Sequence, residues 1–172
     1  MNKNYTKLII FITILILGFA IAMLYLSWPR LTGKTIVLRT TPVDPFDILR
    51  GQYMTIRYEI SSVNINDLSE GDIGKSIYII LKKDNDFYTM SSYSFDKPES
   101  GDFIKGKIEG VNGNNAVINY GIEQYFFERG AYVPQFNQVE VKVSSSGAAR
   151  INRLLINGEE IVIKYRDKEW TS

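Results

Sequence analysis

The sequence predicts a mostly β protein: a single N-terminal transmembrane helix followed by an antiparallel β sandwich or barrel-like domain. Three observations carry that prediction. Leu8 to Trp28 (LIIFITILILGFAIAMLYLSW) passes without a charged side chain. From Thr35 onward, short runs rich in β-branched and aromatic residues alternate with clusters of Gly, Asn, Ser and Pro, which is the grammar of strands and turns. Asn157-Gly158 stands between two apolar runs, and a type I′ hairpin turn favours that pair because both central residues take positive φ.

As a helix rising about 1.5 Å per residue, the apolar run spans roughly 31 Å, the thickness of a bilayer's hydrocarbon core. A helix also satisfies its own backbone inside lipid. A buried helix of a soluble core fits poorly, because such helices rarely run this long without a polar face. A cleavable signal peptide fits better: Lys3 and Lys7 form a basic start, Leu8 to Phe19 an apolar middle, and Ala20-Ile21-Ala22 an A-x-A site. Apolarity nevertheless continues through Met23, Leu24, Tyr25 and Leu26 to Trp28, and Tyr25 and Trp28, followed by Arg30, have the character of interfacial anchors. An uncleaved signal anchor over residues 8–28 is therefore the expectation, with cleavage after Ala22 left open. Lys3 and Lys7 on one side balance Arg30, Lys34 and Arg39 on the other. Orientation thus rests on the short N-terminus: residues 1–7 are expected in the cytoplasm and the rest outside it.

Pro29 to Gly33 is expected to end the helix and serve as a short linker, since proline cannot continue the hydrogen-bond ladder. Residues 34–172 then form one domain. Its expected strands are Thr35–Thr41, Gln52–Ile60, Ile77–Leu81, Phe87–Tyr93, Phe103–Val111, Ala116–Tyr120, Val139–Val143, Ala149–Ile156 and Glu160–Lys164. In the second, Met54, Ile56, Tyr58 and Ile60 share one face and Tyr53, Thr55, Arg57 and Glu59 the other. The third is apolar on both faces and reads as a central strand. Turns are marked by Asn112 to Asn115, Ser144 to Gly147, and Asn157-Gly158. Ile122 to Gln138 is aromatic and broken by Gly130 and Pro134; its first half reads as strand or short helical turn, and Asp67 to Gly71 as a brief helical turn. Many short antiparallel strands joined by hairpin-length turns make a sandwich or small barrel.

Composition narrows the chemistry. Twenty basic against 19 acidic residues give a net charge of +1, without the basic surplus of a nucleic-acid binder. Cys and His are both absent. That removes disulfides, thiol nucleophiles, Ser-His-Asp catalysis and Cys or His metal ligands. No cofactor or metal is expected.

The densest candidate segment is Thr41 to Tyr58 (TPVDPFDILRGQYMTIRY). Pro42 and Pro45 stiffen its approach, Asp44 and Asp47 can accept backbone N–H groups, Arg50 can pair with either carboxylate, and Gly51 frees the turn into the next strand. The functional reading makes Asp44, Asp47 and Arg50 a polar rim that contacts a hard cation or an anion. The structural reading, which we favour, is an Asx-turn and ion-pair clasp between two strands.

Gly51-Gln52-Tyr53-Met54-Thr55-Ile56-Arg57-Tyr58 resembles the signature octapeptide of the bacterial GDYXXLXY family. Gly51, Tyr53 and Tyr58 match; Gln52 stands for the signature Asp and Ile56 for its Leu. Thr41 to Gly51, Tyr120 to Gly130 (YGIEQYFFERG) and Val141 to Gly158 are similar to further family segments, so the resemblance covers most of the chain after the apolar run. It implies a single-pass protein of the bacterial cell membrane, in a family often encoded beside multi-pass membrane proteins, and it implies no established activity. Gln52 cannot replace an Asp as anion or base, whereas a backbone-capping role survives in an amide oxygen.

Tyr53 and Tyr58 fall on opposite strand faces, so one is expected in the core and the other toward a membrane surface or partner. Glu123 and Glu128, with Arg129, flank Tyr125, Phe126 and Phe127. An aromatic segment rimmed by charge fits a partner surface better than a paired-carboxylate catalyst. A signal-peptidase-like Ser–Lys enzyme is the alternative. Its candidates are Ser91, Ser92, Ser144 to Ser146, Lys75, Lys82 and Lys105, but Arg30 to Lys34, just past the apolar run, contains no Ser. The expected function is a non-enzymatic accessory or interaction module for an integral membrane partner, with the surface built from Asp44 to Arg50 and Ile122 to Pro134. The alternative is an envelope hydrolase or peptidase of unorthodox chemistry.

Overall fold

The computed structural model describes residues 3–41, 53–65, 68–128 and 131–165. Helix α1 runs Lys3–Thr32, so Gly33 alone separates it from strand β1 (Lys34–Thr41). Two sequence expectations are corrected here. The helix starts before Leu8 and does not stop at Pro29, and no linker of residues 29–33 exists. Proline deletes one ladder bond, and a 30-residue helix retains all the others. Among the described residues one stretch, Lys7–Tyr25, is long and apolar enough to cross a membrane, and none of it is buried against the rest of the protein. Length and composition of this kind suit a membrane anchor and a signal sequence alike.

The domain after Gly33 is mostly β, and every strand pairing among the described residues is antiparallel. The remaining strands are β2 (Tyr53–Thr55), β3 (Arg57–Tyr58), β4 (Ser62–Asn64), β5 (Ser76–Asp84), β6 (Phe87–Ser94), β7 (Asp102–Asn112) and β8 (Asn115–Asn119). They continue with β9 (Gln124–Phe126), β10 (Ala131–Tyr132), β11 (Gln138–Val143), β12 (Ala149–Ile156), β13 (Glu159–Glu160) and β14 (Lys164–Tyr165). One five-stranded sheet has the order β13-β12-β11-β1-β3 and a second the order β4-β8-β7-β5-β6. Among the described residues the other sheets are two small ribbons, β2-β9 and β10-β14.

Alternating side chains build the core. Ile36, Leu38, Val139 and Val141 face inward from the first sheet, and Ile77, Ile79, Ile104, Ile108 and Ile118 from the second, all buried in one cluster. Along one seam the sheets curl toward each other, giving a half-barrel. There the Arg39 guanidinium lies 4.0 Å from the centre of the Phe87 ring and the Lys34 ammonium 5.7 Å from that of Tyr88, geometry suited to cation–π attraction. Lys34 also bonds both oxygens of Asp102 at 2.7 Å, which ties the start of β1 to the start of β7.

Turn chemistry follows the sequence. Asn157 (φ 51°) and Gly158 (φ 87°) close the β12–β13 hairpin, both in the left-handed region that a type I′ turn requires. The β5–β6 hairpin, not marked in the sequence reading, turns on Asn85 at φ 54°. Near the expected turn at Asp67 to Gly71, a 3₁₀ turn occupies Glu70–Asp72; Asp67 itself is outside the described residues.

The expected strand Gln52–Ile60 is present as a pattern but not as one strand. Ile56, Tyr58 and Ile60 are buried and Tyr53, Thr55, Arg57 and Glu59 exposed, as the alternation required. The chain changes partner at Ile56: β2 pairs with β9, β3 pairs with Thr40 and Thr41 of β1, and Glu59–Ser61 then forms a 3₁₀ turn. Likewise Ile122 to Gln138 resolves into β9 and β10, and the expected Glu160–Lys164 strand into β13 and β14, each pairing elsewhere.

Candidate functional site

The described parts of two segments singled out in the sequence, 53–58 of Gly51–Tyr58 and 120–128 of Tyr120–Gly130, prove to be neighbours. In the ribbon β2-β9, Tyr53 stands opposite Phe126, Met54 opposite Tyr125 and Thr55 opposite Gln124. The Ile56 N–H extends the ladder by donating to the Glu123 carbonyl at 2.7 Å. On the outer face the rings of Tyr53 and Phe126 lie 5.8 Å apart at 47°, within the range of favourable aromatic pairs. Phe126 is 68% exposed. Tyr125, on the opposite face, is half-buried against the core.

Beneath the ribbon lies a reciprocal clasp. The Tyr58 hydroxyl donates to the Ile122 carbonyl at 2.7 Å, and the Tyr120 hydroxyl donates to the Ile60 carbonyl at 2.5 Å. Each ring thus reaches across to the other's segment and satisfies a backbone carbonyl that no ladder covers. The Glu123 carboxylate accepts the Tyr120 N–H at 2.6 Å, and the Ser61 hydroxyl accepts the Tyr58 N–H at 3.2 Å. Burial, and then the negative charge of Glu123, pushes both phenols well above their ordinary value of 10.0. They remain neutral donors throughout the physiological range. The space for the Tyr120 ring is made by Gly106. A Cβ there would collide with Ile118 Cγ2 and crowd Tyr120 Cδ1 and the Asn119 carbonyl, at 3.0 and 3.1 Å.

Of the residues picked from sequence, Tyr53, Tyr58, Glu123, Tyr125 and Phe126 are gathered within this ribbon and clasp. Asp44, Asp47, Arg50 and Gly51 lie outside the described residues. Glu123 and Glu128 do not form a carboxylate pair: the first turns inward to the Tyr120 N–H and the second is exposed. Tyr120 was missed as a site residue, although it opens the segment Tyr120–Gly130 and continues the inward alternation of Ala116 and Ile118.

The serine and lysine candidates are scattered. Ser91 and Ser92 are exposed on β6, Ser144 and Ser146 share a hydrogen bond at 2.8 Å, and the Lys75 amine is held by Asp72 at 2.7 Å. The amine of Lys105 lies 5.8 Å from the centre of the Tyr78 ring. Among the described residues no three of His, Cys, Asp or Glu gather to hold a metal ion.

A groove of about 720 Å³ opens beside the clasp, between Lys105–Lys107 of β7, the 119–122 connection, β9, and residues 148–151 at the start of β12. At its β7 end the Lys105 N–H donates to the Gly147 carbonyl at 2.9 Å, joining the two sheets where β8 ends. The Gly147 turn comes so close that a Cβ at φ +85° would sit 3.0 Å from Lys105 and Phe103.

A family model described as GDYXXLXY protein matches residues 14–154. Among curated proteins, and among solved structures, nothing matches.

Proposed function

The chain belongs to the GDYXXLXY family, and from that premise we propose that it is a non-enzymatic interaction module. On this reading α1 anchors it in a bacterial cell membrane, its β domain lies outside the cytoplasm, and the β2-β9 ribbon meets an integral membrane partner. One observation carries the reading: the exposed, tilted ring pair of Tyr53 and Phe126 on a ribbon built from two family segments. Large aromatic side chains held out to solvent on a fixed scaffold suit contact with another protein. The anchor is supported by the continuity of α1, which runs ten residues past Ala22 to Thr32 and so would leave a helical stub if cut there.

The clasp fits the same reading. Tyr58, the last signature residue, donates its hydroxyl to a backbone carbonyl, and Ile56, at the signature Leu, is buried. Those positions hold the ribbon in place, leaving Tyr53 and Phe126 for contact. The test is purification of the full-length protein from membranes in detergent, with co-purifying membrane proteins identified by mass. Phe126→Ser and Tyr53→Ser are expected to lose the partner while the domain keeps its thermal transition. Retention of the same partner by both variants would overturn the reading.

A further inference from the structure

We propose that the groove beside the clasp takes an extended, acidic peptide segment, which adds as a strand to the open edge of β12. The inference rests on the interaction-module reading and names the chemistry of the partner. Its first support is the edge. β13 pairs with β12 at Leu155 and Ile156, and the Ile161 N–H extends that cover to the Leu154 carbonyl, so among the described residues Ala149 to Arg153 have no paired strand on that side. Unpaired N–H and C=O groups along a strand edge are a template for a further strand. The groove runs along this edge, lined by 148–151 on one wall and by β9 on the other. Its volume of about 720 Å³ lies within the range of ligand sites.

The second support is charge. Lys105, Lys107 and Arg150 line the groove, and no carboxylate does. Among the described residues none of the three is held in an ion pair: the carboxylates that do form ion pairs serve Lys34, Lys75 and Arg153. The neighbouring Glu123 carboxylate, which is not part of the lining, accepts the Tyr120 N–H. Arg150 also stands directly opposite Lys142 in the β11–β12 register, a cross-strand pairing of like charges that weakens a sheet by itself. An acidic strand laid along β12 relieves that repulsion and supplies the carboxylates the groove lacks. The half-buried Tyr125 gives the groove an apolar wall for alternate side chains, which is how strand addition acquires specificity.

The full-length protein in uncharged detergent is titrated with a fluorescent peptide alternating glutamate and valine, and with its lysine–valine counterpart. The same acidic peptide is also made with N-methyl groups along one edge, and again along the other. Binding of the acidic peptide alone, abolished by N-methylation of one edge but not the other, is the expected result. Lys107→Glu and Arg150→Glu should each weaken it about tenfold, with thermal transitions unchanged. Equal binding of both N-methylated forms would leave only charge attraction and overturn strand addition. No peptide binding, together with Arg150-dependent attachment to vesicles of anionic lipid, would make the groove a lipid contact and overturn the peptide. If the groove variants fail to bind peptide yet still co-purify with the partner lost in Phe126→Ser, the peptide site fails in that complex while the interaction-module reading stands.

Discussion

Tyr53 and Tyr58 stand in one octapeptide and meet opposite fates. Tyr58 is 1% exposed and its hydroxyl fastens the Ile122 carbonyl, whereas Tyr53 lies on the outer face of the ribbon against Phe126. The difference separates two demands on one stretch of chain. The clasp region is closed and reciprocal, so its residues answer to packing. The ribbon is a three-residue pairing laid over it, whose outer aromatics gain little from folding and so point to contact.

Truncating the clasp should have the largest effect. Tyr58→Ala removes a fully buried ring and orphans a carbonyl, and should destabilise the domain by about 3–5 kcal/mol in a denaturant titration. Gly106→Ala pushes a methyl into Ile118 and the Tyr120 ring, and should cost about 1–3 kcal/mol. Tyr58→Phe and Tyr120→Phe keep the rings and lose only the donors, at about 1–2 kcal/mol each. The two bonds brace one crossing, so the double variant is expected to depart from additivity. Strict additivity would show that the two hydroxyls act separately.

Acid should leave the two hydroxyl bonds of the clasp in place, because neutral phenols bind no further proton. It should act instead on two carboxyls elsewhere. Asp72 is held at about 2 by bonds from Lys75 and Ser69. Glu140 is held below its ordinary 4.5 chiefly by Arg153 and also by Asn152. Depressed values stabilise the fold above the unfolded values and lose that contribution as pH falls through the folded ones. Stability should therefore decline below about pH 4.5 and on toward about 2, and Glu140→Gln should flatten the upper part of the decline. An unchanged slope in that variant would remove Glu140 as the cause. The smallest stability effect belongs to the ribbon: Tyr53→Ser and Phe126→Ser should each move stability by less than about 0.5 kcal/mol. A loss as large as that of Tyr58→Phe would make the ribbon a part of the core and erase the contrast.

Alternation and turn chemistry are local, and they were legible. The inward face of Gln52–Ile60 and the Asn157-Gly158 hairpin followed from spacing alone. Strand pairing is not local, which is why Gln52–Ile60 looked like one strand: nothing in its alternation says that the partner changes at Ile56 from β9 to β1. Pro29 misled for a related reason, since a single missing donor is outweighed by the turns on either side of it. At the site, the aromatics at Tyr53, Tyr125 and Phe126 were visible as composition. The partnership of Tyr58 with Tyr120 joins residues 62 positions apart by the numbering, and the groove needs β7 and β12 side by side. Neither can be written in any short window.

Gly33 gives the molecule its mechanics. With one residue between a long rod and the first strand, only two soft torsions separate them, and Lys34 pins the far side of that joint to Asp102. On the anchored reading this is a short lever. A tilt of α1 in the bilayer, typically of order 20°, is passed on to the sheets instead of being absorbed by slack chain. The domain then rides at a fixed height, and whatever it touches must come to it.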